Sequence, residues 1–378
     1  MIKRLSVSNY RSLGENIVVE FGGFTVFVGQ NGSGKSNVVD ALRFVSDSMH
    51  MGLSGAVTHR HGIGAVRRWS GGHPYNVSIR LDLTIGGIPA YYSFELRGDS
   101  SEEYKVKSEE ASIWADWGGY ERYRFRVESG QWIEGPPGLS PPLDDKSLAL
   151  PIIGGDARFQ PLVHALQQIS IYAIFPDTLR APQKYSPVKP MDRHGSNWAS
   201  ILKDQPKDTW KPELISALQK LTGDTEDIKV SQAASYLVVQ FRHTSTNRKP
   251  KWFDAAQESD GTLRVAGIVT ALLQEPPVPV LGVEEPELTV HPGAIPLLYD
   301  FLKQASRRSQ VIVTTHSPEL LDRVEADDVR VVLRNHGGTT VAPMSAAQRN
   351  AVRAGLLTLG EVLRTEGLQQ ELPLVGVE

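Results

Sequence analysis

The chain has 378 residues, a hydrophobic fraction of 40%, a charged fraction of 22% and a formal net charge of −3. That is the profile of a globular protein with room for one large domain or two ordinary ones. It has no cysteine, which excludes disulfides, thiolate metal sites and cysteine nucleophiles, and its slight acidity is no signature of nucleic-acid binding.

Three short β-rich runs open the chain: Leu5 to Tyr10, Ile17 to Phe21 and Phe24 to Val28. The third leads into Gly29-Gln30-Asn31-Gly32-Ser33-Gly34-Lys35-Ser36, which fits G-x-x-x-x-G-K-[ST]. Beyond Lys35, Val38, Val39, Ala41, Leu42 and Val45 recur at helical spacing. Strand, glycine loop and helix start thus come in the order that a phosphate-binding loop needs. Glycines lack a Cβ, so backbone N–H groups can curl around the β- and γ-phosphates at the positive end of the helix. Gly29, Asn31, Gly32, Ser33, Gly34, Lys35, Ser36 and Asn37 are therefore the candidate ATP-binding residues. Lys35 is expected to point its ammonium into an open nucleotide site, and Ser36 to place its hydroxyl on Mg²⁺.

A connection from about Met51 to His73 follows the loop helix. Val77 to Leu83, Tyr91 to Leu96 and Tyr123 to Val127 then read as strands of an antiparallel β layer. Gly135 to Pro142, with four prolines, is a linker or surface loop. Ala157 to Gln168 predicts a helix and Ile169 to Phe175 a buried strand. Pro176 to Asp208 is rich in proline and charge and carries no clear periodicity. Lys211 to Leu221 predicts a short helix and Tyr236 to Phe241 a strand. The last third alternates: helix Thr262 to Leu273, strand Val278 to Val283, helix Pro292 to Ala305, strands Val311 to Thr314 and Val329 to Leu333. Such alternation predicts a mostly parallel sheet flanked by helices. No internal repeat or sustained heptad pattern is present.

Three further stretches carry chemistry. The apolar run Pro277 to Val283 delivers Glu284-Glu285-Pro286-Glu287. Acids at the end of a buried strand suit the Walker B role, with Glu284 in the Mg²⁺ shell and Glu285 polarising the attacking water. Taken alone, the same pattern is equally a strand entering a charged loop. Val311-Ile312-Val313-Thr314-Thr315-His316 puts a histidine at a strand tip, where it can hydrogen-bond a γ-phosphate. Finally, Gln257 to Arg264 opens an amphipathic helix. Ser259 and Gly261 there offer a hydroxyl and bare N–H groups at its positive end. In isolation an ordinary Ser/Asp N-cap is the better reading.

In this order the chain resembles the ABC-type ATPase heads of the SMC, RecF and OLD group. It is more similar still to the small AAA-family ATPases of bacterial defence and DNA-maintenance loci. Asn9-Tyr10-Arg11-Ser12-Leu13 resembles that family's N-[FY]-R-S-L, and Gly29 to Asn37 with Asp40-Ala41-Leu42 its G-x-N-G-S-G-K-S-N…D-A-L. Arg180 and Gly195-Ser196-Asn197 look like a family segment in mid-chain. Ser259 to Arg264, Glu284 to Glu287, His291-Pro292, Thr315-His316-Ser317-Pro318 and Leu359-Gly360-Glu361-Val362-Leu363 complete the likeness.

The resemblance implies an α/β fold, an ABC-type P-loop head with a mostly parallel core sheet, an antiparallel β layer and a helical lobe. One composite head would be assembled from residues 1–135, 136–255 and 256–378. These carry, in turn, the phosphate loop with the β layer, the helical-lobe segment, and the signature, Walker B and histidine elements. It also implies a homodimer or higher homo-oligomer through an ATP sandwich, in which Ser259 and Gly261 act across the interface. Glu285 would be the catalytic base, Glu284 the Mg²⁺-shell acid, His316 the γ-phosphate switch, and Arg11 a further phosphate contact. The signature reads Glu-Ser-Asp-Gly-Thr where transporters have L-S-G-G-Q, which argues against a transporter subunit. Glu284 replaces the usual aspartate, and Gln160 is the candidate for the glutamine that couples the γ-phosphate to the helical lobe.

The chain has neither the coiled-coil arm of SMC proteins nor, after His316, the D-x-D pair of a TOPRIM nuclease. The expectation is a nucleotide-gated ATPase switch in antiviral defence or DNA maintenance, working with a separate nuclease or toxin-like effector. An ATP-stabilised scaffold with negligible turnover and a RecF-like DNA-repair ATPase are the alternatives. Nucleic-acid contact would fall to Arg60, Arg67, Arg68 and Trp69, or to Arg242, Arg248, Lys249 and Lys251, although solvated loop charge is the better reading of both clusters. No apolar run approaches the ~20 residues of a membrane span, and Met1-Ile2-Lys3-Arg4-Leu5 does not open a secretory signal. A cytoplasmic protein is expected.

Overall fold

The computed structural model describes residues 1–98, 100, 102–114, 122–244, 251–335 and 338–371. It opens with β1 (Ile2–Ser8), β2 (Ile17–Glu20) and β3 (Phe24–Val28), then α1 (Lys35–Thr58) and the single turn α2 (Ile63–Val66). In β1, Ile2, Leu5 and Val7 are buried while Lys3 and Arg4 are exposed, the mark of a strand with one wet face. All of β3 is buried. Phe27 enters one apolar cluster and Phe24, Val26 and Val28 enter the other, as the two-residue period of a strand dictates.

Helix α1 is longer than its sequence suggests. The segment from Met51 to Thr58, expected as connection, continues the helix past Gly52, whose φ of 73° interrupts its regularity. Leu53, Ala56 and Val57 are buried there. Their spacing carries the helix through a stretch whose glycines read as loop.

Strands β4 (Val77–Ile85), β5 (Ile88–Arg97), β6 (Lys105–Trp114), β7 (Arg122–Glu128) and β8 (Gln131–Glu134) follow. With β1 and β2 they form a seven-stranded antiparallel sheet in the order β2-β1-β4-β5-β6-β7-β8. β6 escaped the sequence reading because its inward face carries Glu109, a buried acid in an apolar layer. Glu109 accepts hydrogen bonds from the Tyr92 hydroxyl (2.9 Å), Leu150 N (2.9 Å) and Ala149 N. Burial pushes its carboxyl up to about 7, against the pull of those three donors. Helices α3 (Ala149–Ile153) and α4 (Gln160–Gln167) then pack on α1.

Strand β9 (Ile169–Tyr172) leads into a lobe that the sequence left largely unassigned. It contains α5 (Pro176–Arg180), β10 (Gln183–Lys184), α6 (Trp198–Asp204), α7 (Lys207–Thr222), β11 (Thr225–Ala233), β12 (Tyr236–His243) and β13 (Lys251–Asp254). Its small sheet runs β10-β12-β11, with β13 also on β12.

The chain ends with α8 (Asp260–Leu273), β14 (Val280–Glu284), α9 (Ile295–Ala305), β15 (Gln310–Thr315) and α10 (Pro318–Leu321). Then come β16 (Val329–Asn335), β17 (Gly338–Pro343), α11 (Ala346–Arg353) and α12 (Leu359–Thr365). The six-stranded core sheet has the order β17-β16-β3-β15-β14-β9 and is parallel except for the β16–β17 hairpin. One sheet thus draws β3, β9 and β14–β17 from distant parts of the chain. Among the described residues, no helix is long and apolar enough to cross a membrane.

Candidate functional site

β3, β15 and β14 are neighbours and parallel. Their C-terminal ends therefore bring the phosphate loop, His316 and Glu284–Glu287 to one edge of the core sheet, where open α/β sheets bind ligands.

The loop is shaped by close approach. A Cβ on Gly29 would lie 2.2 Å from Val332 O, and one on Gly34 (φ 107°) would lie 2.4 Å from Thr339 Oγ1. Thr339 Oγ1 donates to Ser33 O (2.7 Å) and shares a 2.7 Å bond with Ser12 Oγ, which accepts from Asn37 Nδ2 (2.7 Å). β17 and the N-terminal segment therefore clamp the loop from outside. Asn31, Gly32 and Ser36 remain exposed.

Lys35 departs from expectation. It is buried, with Nζ donating to Gly29 O (2.8 Å) and Gln30 O (3.2 Å), instead of pointing into an open site. Burial lowers its pKa, while Glu285 and Glu287 act the other way. The ammonium is thus held inside the loop's ring of carbonyls, beside the N–H groups that would face phosphate.

Glu285 takes φ 42°, an uncommon left-handed backbone. It is fixed from both sides: its N–H bonds Thr314 O (2.9 Å) and its carbonyl accepts from Arg264 (2.7 Å). Arg264 is buried and also donates to Ile174 O (2.5 Å) and Glu284 O (3.3 Å). His316 Nδ1 lies 3.5 Å from Glu285 Oε1 and 3.6 Å from Glu287 Oε1. Glu287 accepts from Thr315 Oγ1 (2.6 Å) and His316 N (3.1 Å). Glu287 Oε2 and His316 Nδ1 are buried without a hydrogen-bond partner among the described residues. Glu284 Oε1 is engaged by Arg193 at 2.6 Å.

Ser259 caps α8, accepting from Thr262 N (3.1 Å), and is itself exposed. A Cβ on Gly261 would sit 2.9 Å from Thr289 O. The turn is gripped by Arg180, which donates to Glu258 O (3.2 Å) and Asp260 Oδ1 (2.6 Å). It is gripped also by His243, whose Nε2 lies 2.8 Å from Glu258 Oε1 and Nδ1 3.0 Å from Asp224 Oδ1. Burial alone would lower the His243 pKa, but those two acids raise it. Among the described residues, no hydrogen bond or ion pair links Ser259 to this chain's own phosphate loop.

Three further expectations are corrected. Arg11 does not reach the loop: its Nε pairs with Asp40 Oδ2 (2.9 Å) on α1. Asp40 also accepts from Tyr10 (2.6 Å) and Arg60 (3.0 Å) and pairs with Arg43 (2.5 Å). Gln160 lines one cavity with Met49, which lies 14 residues or about 21 Å along α1 from Lys35, toward the far end of the helix from the γ-phosphate position. The first basic cluster is structural in two of its members. Arg60 is buried on Asp40 and Asp47, and Arg67 is buried on Ser100 O and Glu103 O. In the second, Arg242 pairs with Glu226 and Lys251 lies over Phe253; Arg248 and Lys249 lie outside the described residues.

Sequence reasoning gave no role to Arg193, Arg264, Glu287 or Thr315. Arg264 left a signal, a lone cation in the apolar run Leu263 to Leu272. Arg193 left none, because only the fold brings it to Glu284.

The donor set suits a triphosphate: exposed loop residues, an ammonium held within the loop and, among the described residues, unpartnered polar atoms on Glu287 and His316. It also suits Mg²⁺, which takes one or two protein ligands and fills its shell with phosphate and water. Ser36 and Glu284 are the candidates. Among the described residues there is no cluster of three or more metal-binding side chains.

Residues 185–322 match the family described as "AAA domain, putative AbiEii toxin, Type IV TA system", and residues 1–54 match the "RecF/RecN/SMC N terminal domain". A 45-residue stretch is 53% identical to the chromosome partition protein Smc of Bacillus subtilis (strain 168), covering 12% of this chain and only 4% of that protein. Among solved structures, the chain is similar to an Smc head bound to the C-winged helix domain of ScpA. The TM-score is 0.59 at 16% identity, over 92% of this chain and 98% of that one. It is also similar to an Smc head with an extended coiled coil bound to the C-terminal domain of ScpA, derived from Pyrococcus furiosus. There the TM-score is 0.50 at 14% identity, over 94% and 99% of the two chains.

Proposed function

Because the chain has the fold of an ABC-type, SMC/RecF-like ATPase head, we propose that it binds and hydrolyses ATP and pairs with a second copy around the nucleotide. The observation that carries this reading is the meeting of Lys35, Glu285 and His316 at the ends of three adjacent parallel strands. Lys35 exchanges its loop carbonyls for phosphate oxygens. Glu285, fixed by Thr314 and Arg264, accepts the proton of the attacking water, and His316 hydrogen-bonds the γ-phosphate beside it. Mg²⁺ would neutralise charge between the phosphates, held by Ser36 and Glu284. Ser259, exposed and without a partner on its own loop, serves the partner copy's nucleotide.

The setting we propose is a nucleotide-gated switch in defence or DNA maintenance, with a separate effector. Two likenesses support it: the matched family's toxin–antitoxin description and the Smc heads bound to another protein. The deciding experiment is steady-state phosphate release with Mg²⁺, with and without DNA, together with a DNA-cleavage assay. ATP-dependent release that Glu285→Gln abolishes, without cleavage, is expected. Tight ATP binding with no release would favour an ATP-held scaffold instead.

A further inference from the structure

The mid-chain segment Met191 to Asn197 has no place in the mechanism above, yet it is built as a rigid turn. Asp192 Oδ1 accepts from His194 N (3.0 Å) and Ser196 N (2.8 Å). Asn197 accepts from Asp192 N (2.8 Å) and donates to Val188 O (3.0 Å) and Pro190 O (3.2 Å). Gly195 sits at φ 82°, where a Cβ would lie 2.4 Å from Leu179 Cδ2. The turn is tied to the end of β9 by Ala173 N donating to Arg193 O (2.9 Å). All of this aims one side chain at the nucleotide site. Arg193 donates to Glu284 Oε1 at 2.6 Å, with the Glu284 side chain only 12% exposed and Arg193 Nε buried without a hydrogen-bond partner among the described residues.

We propose that Arg193 is a positioning residue that neutralises Glu284 until a divalent cation arrives, so that Mg²⁺ entry displaces it and signals to the helical lobe. This rests on the nucleotide-site reading above. A guanidinium and a divalent cation cannot both claim one carboxylate edge at full strength, because each is attracted by the same charge. Releasing Arg193 removes the tie between the 191–197 turn and Glu284 and so loosens a turn that β9 and the lobe share. The state of the metal site is thereby reported to the lobe that also carries Arg180 and His243, the two side chains gripping the signature turn.

The test measures binding of the β,γ-imido analogue of ATP, in excess EDTA and in Mg²⁺. In Arg193→Ala, Glu284 is left uncompensated, so it repels the bare triphosphate and favours the metal-bound one. The ratio of the EDTA Kd to the Mg²⁺ Kd is expected to rise about tenfold over wild type, the size of a lost charged hydrogen bond. Adding Glu284→Gln should bring the ratio back. A ratio unchanged in folded Arg193→Ala, or raised equally in the double variant, overturns the proposal. In the wild-type chain, amide exchange of residues 192–197 should quicken with analogue plus Mg²⁺ and not with analogue plus EDTA; no difference removes the coupling to the lobe. Lys35→Ala reports on the reading beneath. If it binds the analogue as wild type does, the phosphate-loop assignment fails, whatever Arg193 shows.

Discussion

If Ser259 works across an interface, two inactive variants should repair each other. Ser259→Arg puts a bulky cation where the partner's γ-phosphate would lie. Its structural cost is small, since Ser259 is exposed and its side-chain hydrogen bonds are both to Thr262, from the N–H at 3.1 Å and with Oγ1 at 2.8 Å. A lost N-cap costs about 1 kcal/mol, well within the ~5–15 kcal/mol of a typical domain. Lys35→Ala removes the ammonium held by Gly29 O and Gln30 O at 2.8 and 3.2 Å, at about 1–3 kcal/mol of loop stability. Both proteins should therefore fold and each should be inactive as a homodimer. In an equal mixture with free exchange, half the dimers are mixed. Each mixed dimer has one composite site with both defects and one with neither. Turnover should therefore return to about one quarter of wild type. The assay is phosphate release against mixing ratio, with subunit exchange checked separately by labelled chains. If exchanging, folded subunits recover nothing at any ratio, Ser259 does not act in trans and the sandwich must be abandoned.

Lys35→Ala alone should weaken triphosphate binding about tenfold or more, because charged hydrogen bonds are worth ~1.5–3 kcal/mol; calorimetric titration of the folded variant decides it. Glu285→Gln should cut turnover ~10²–10⁴-fold yet preserve binding, and size-exclusion chromatography should show a longer-lived ATP-dependent dimer; unaltered turnover would remove Glu285 as the base. Glu109 supplies a pH test. Its carboxyl sits at about 7 in the fold against 4.5 in its ordinary state, so the folded chain holds the proton more tightly. The stability it contributes is full below pH 4.5 and falls by about 3 kcal/mol as pH rises through 7. Urea unfolding at pH 5 and pH 8 should show that loss in wild type and much less in Glu109→Gln; equal losses in both would reject the assignment.

Local chemistry by itself determined the glycine-rich loop before α1, the helix that opens at Ser259 and the acid- and histidine-tipped strands. Each is a contiguous run whose residue types carry its geometry: glycine where a Cβ cannot fit, apolar residues where both faces are covered, and a cap at a helix start. The parallel sheet was legible for the same reason, because strands and helices alternate in the last third. Tertiary structure alone decided what lies between distant residues. Arg11 could be read as a phosphate contact because its motif neighbours the loop, yet a carboxylate on α1 takes it first. Lys35 was read in the open because its burial depends on how tightly Thr339 and Ser12 clamp the loop around it. Glu109 hid β6 because a buried acid breaks an apolar pattern, and its donors come from Tyr92 and the first two residues of α3. Arg193 and Glu284 lie 91 residues apart. No periodicity can announce that pair; it exists only because β9 lies beside β14 and presents a rigid turn at the same sheet edge.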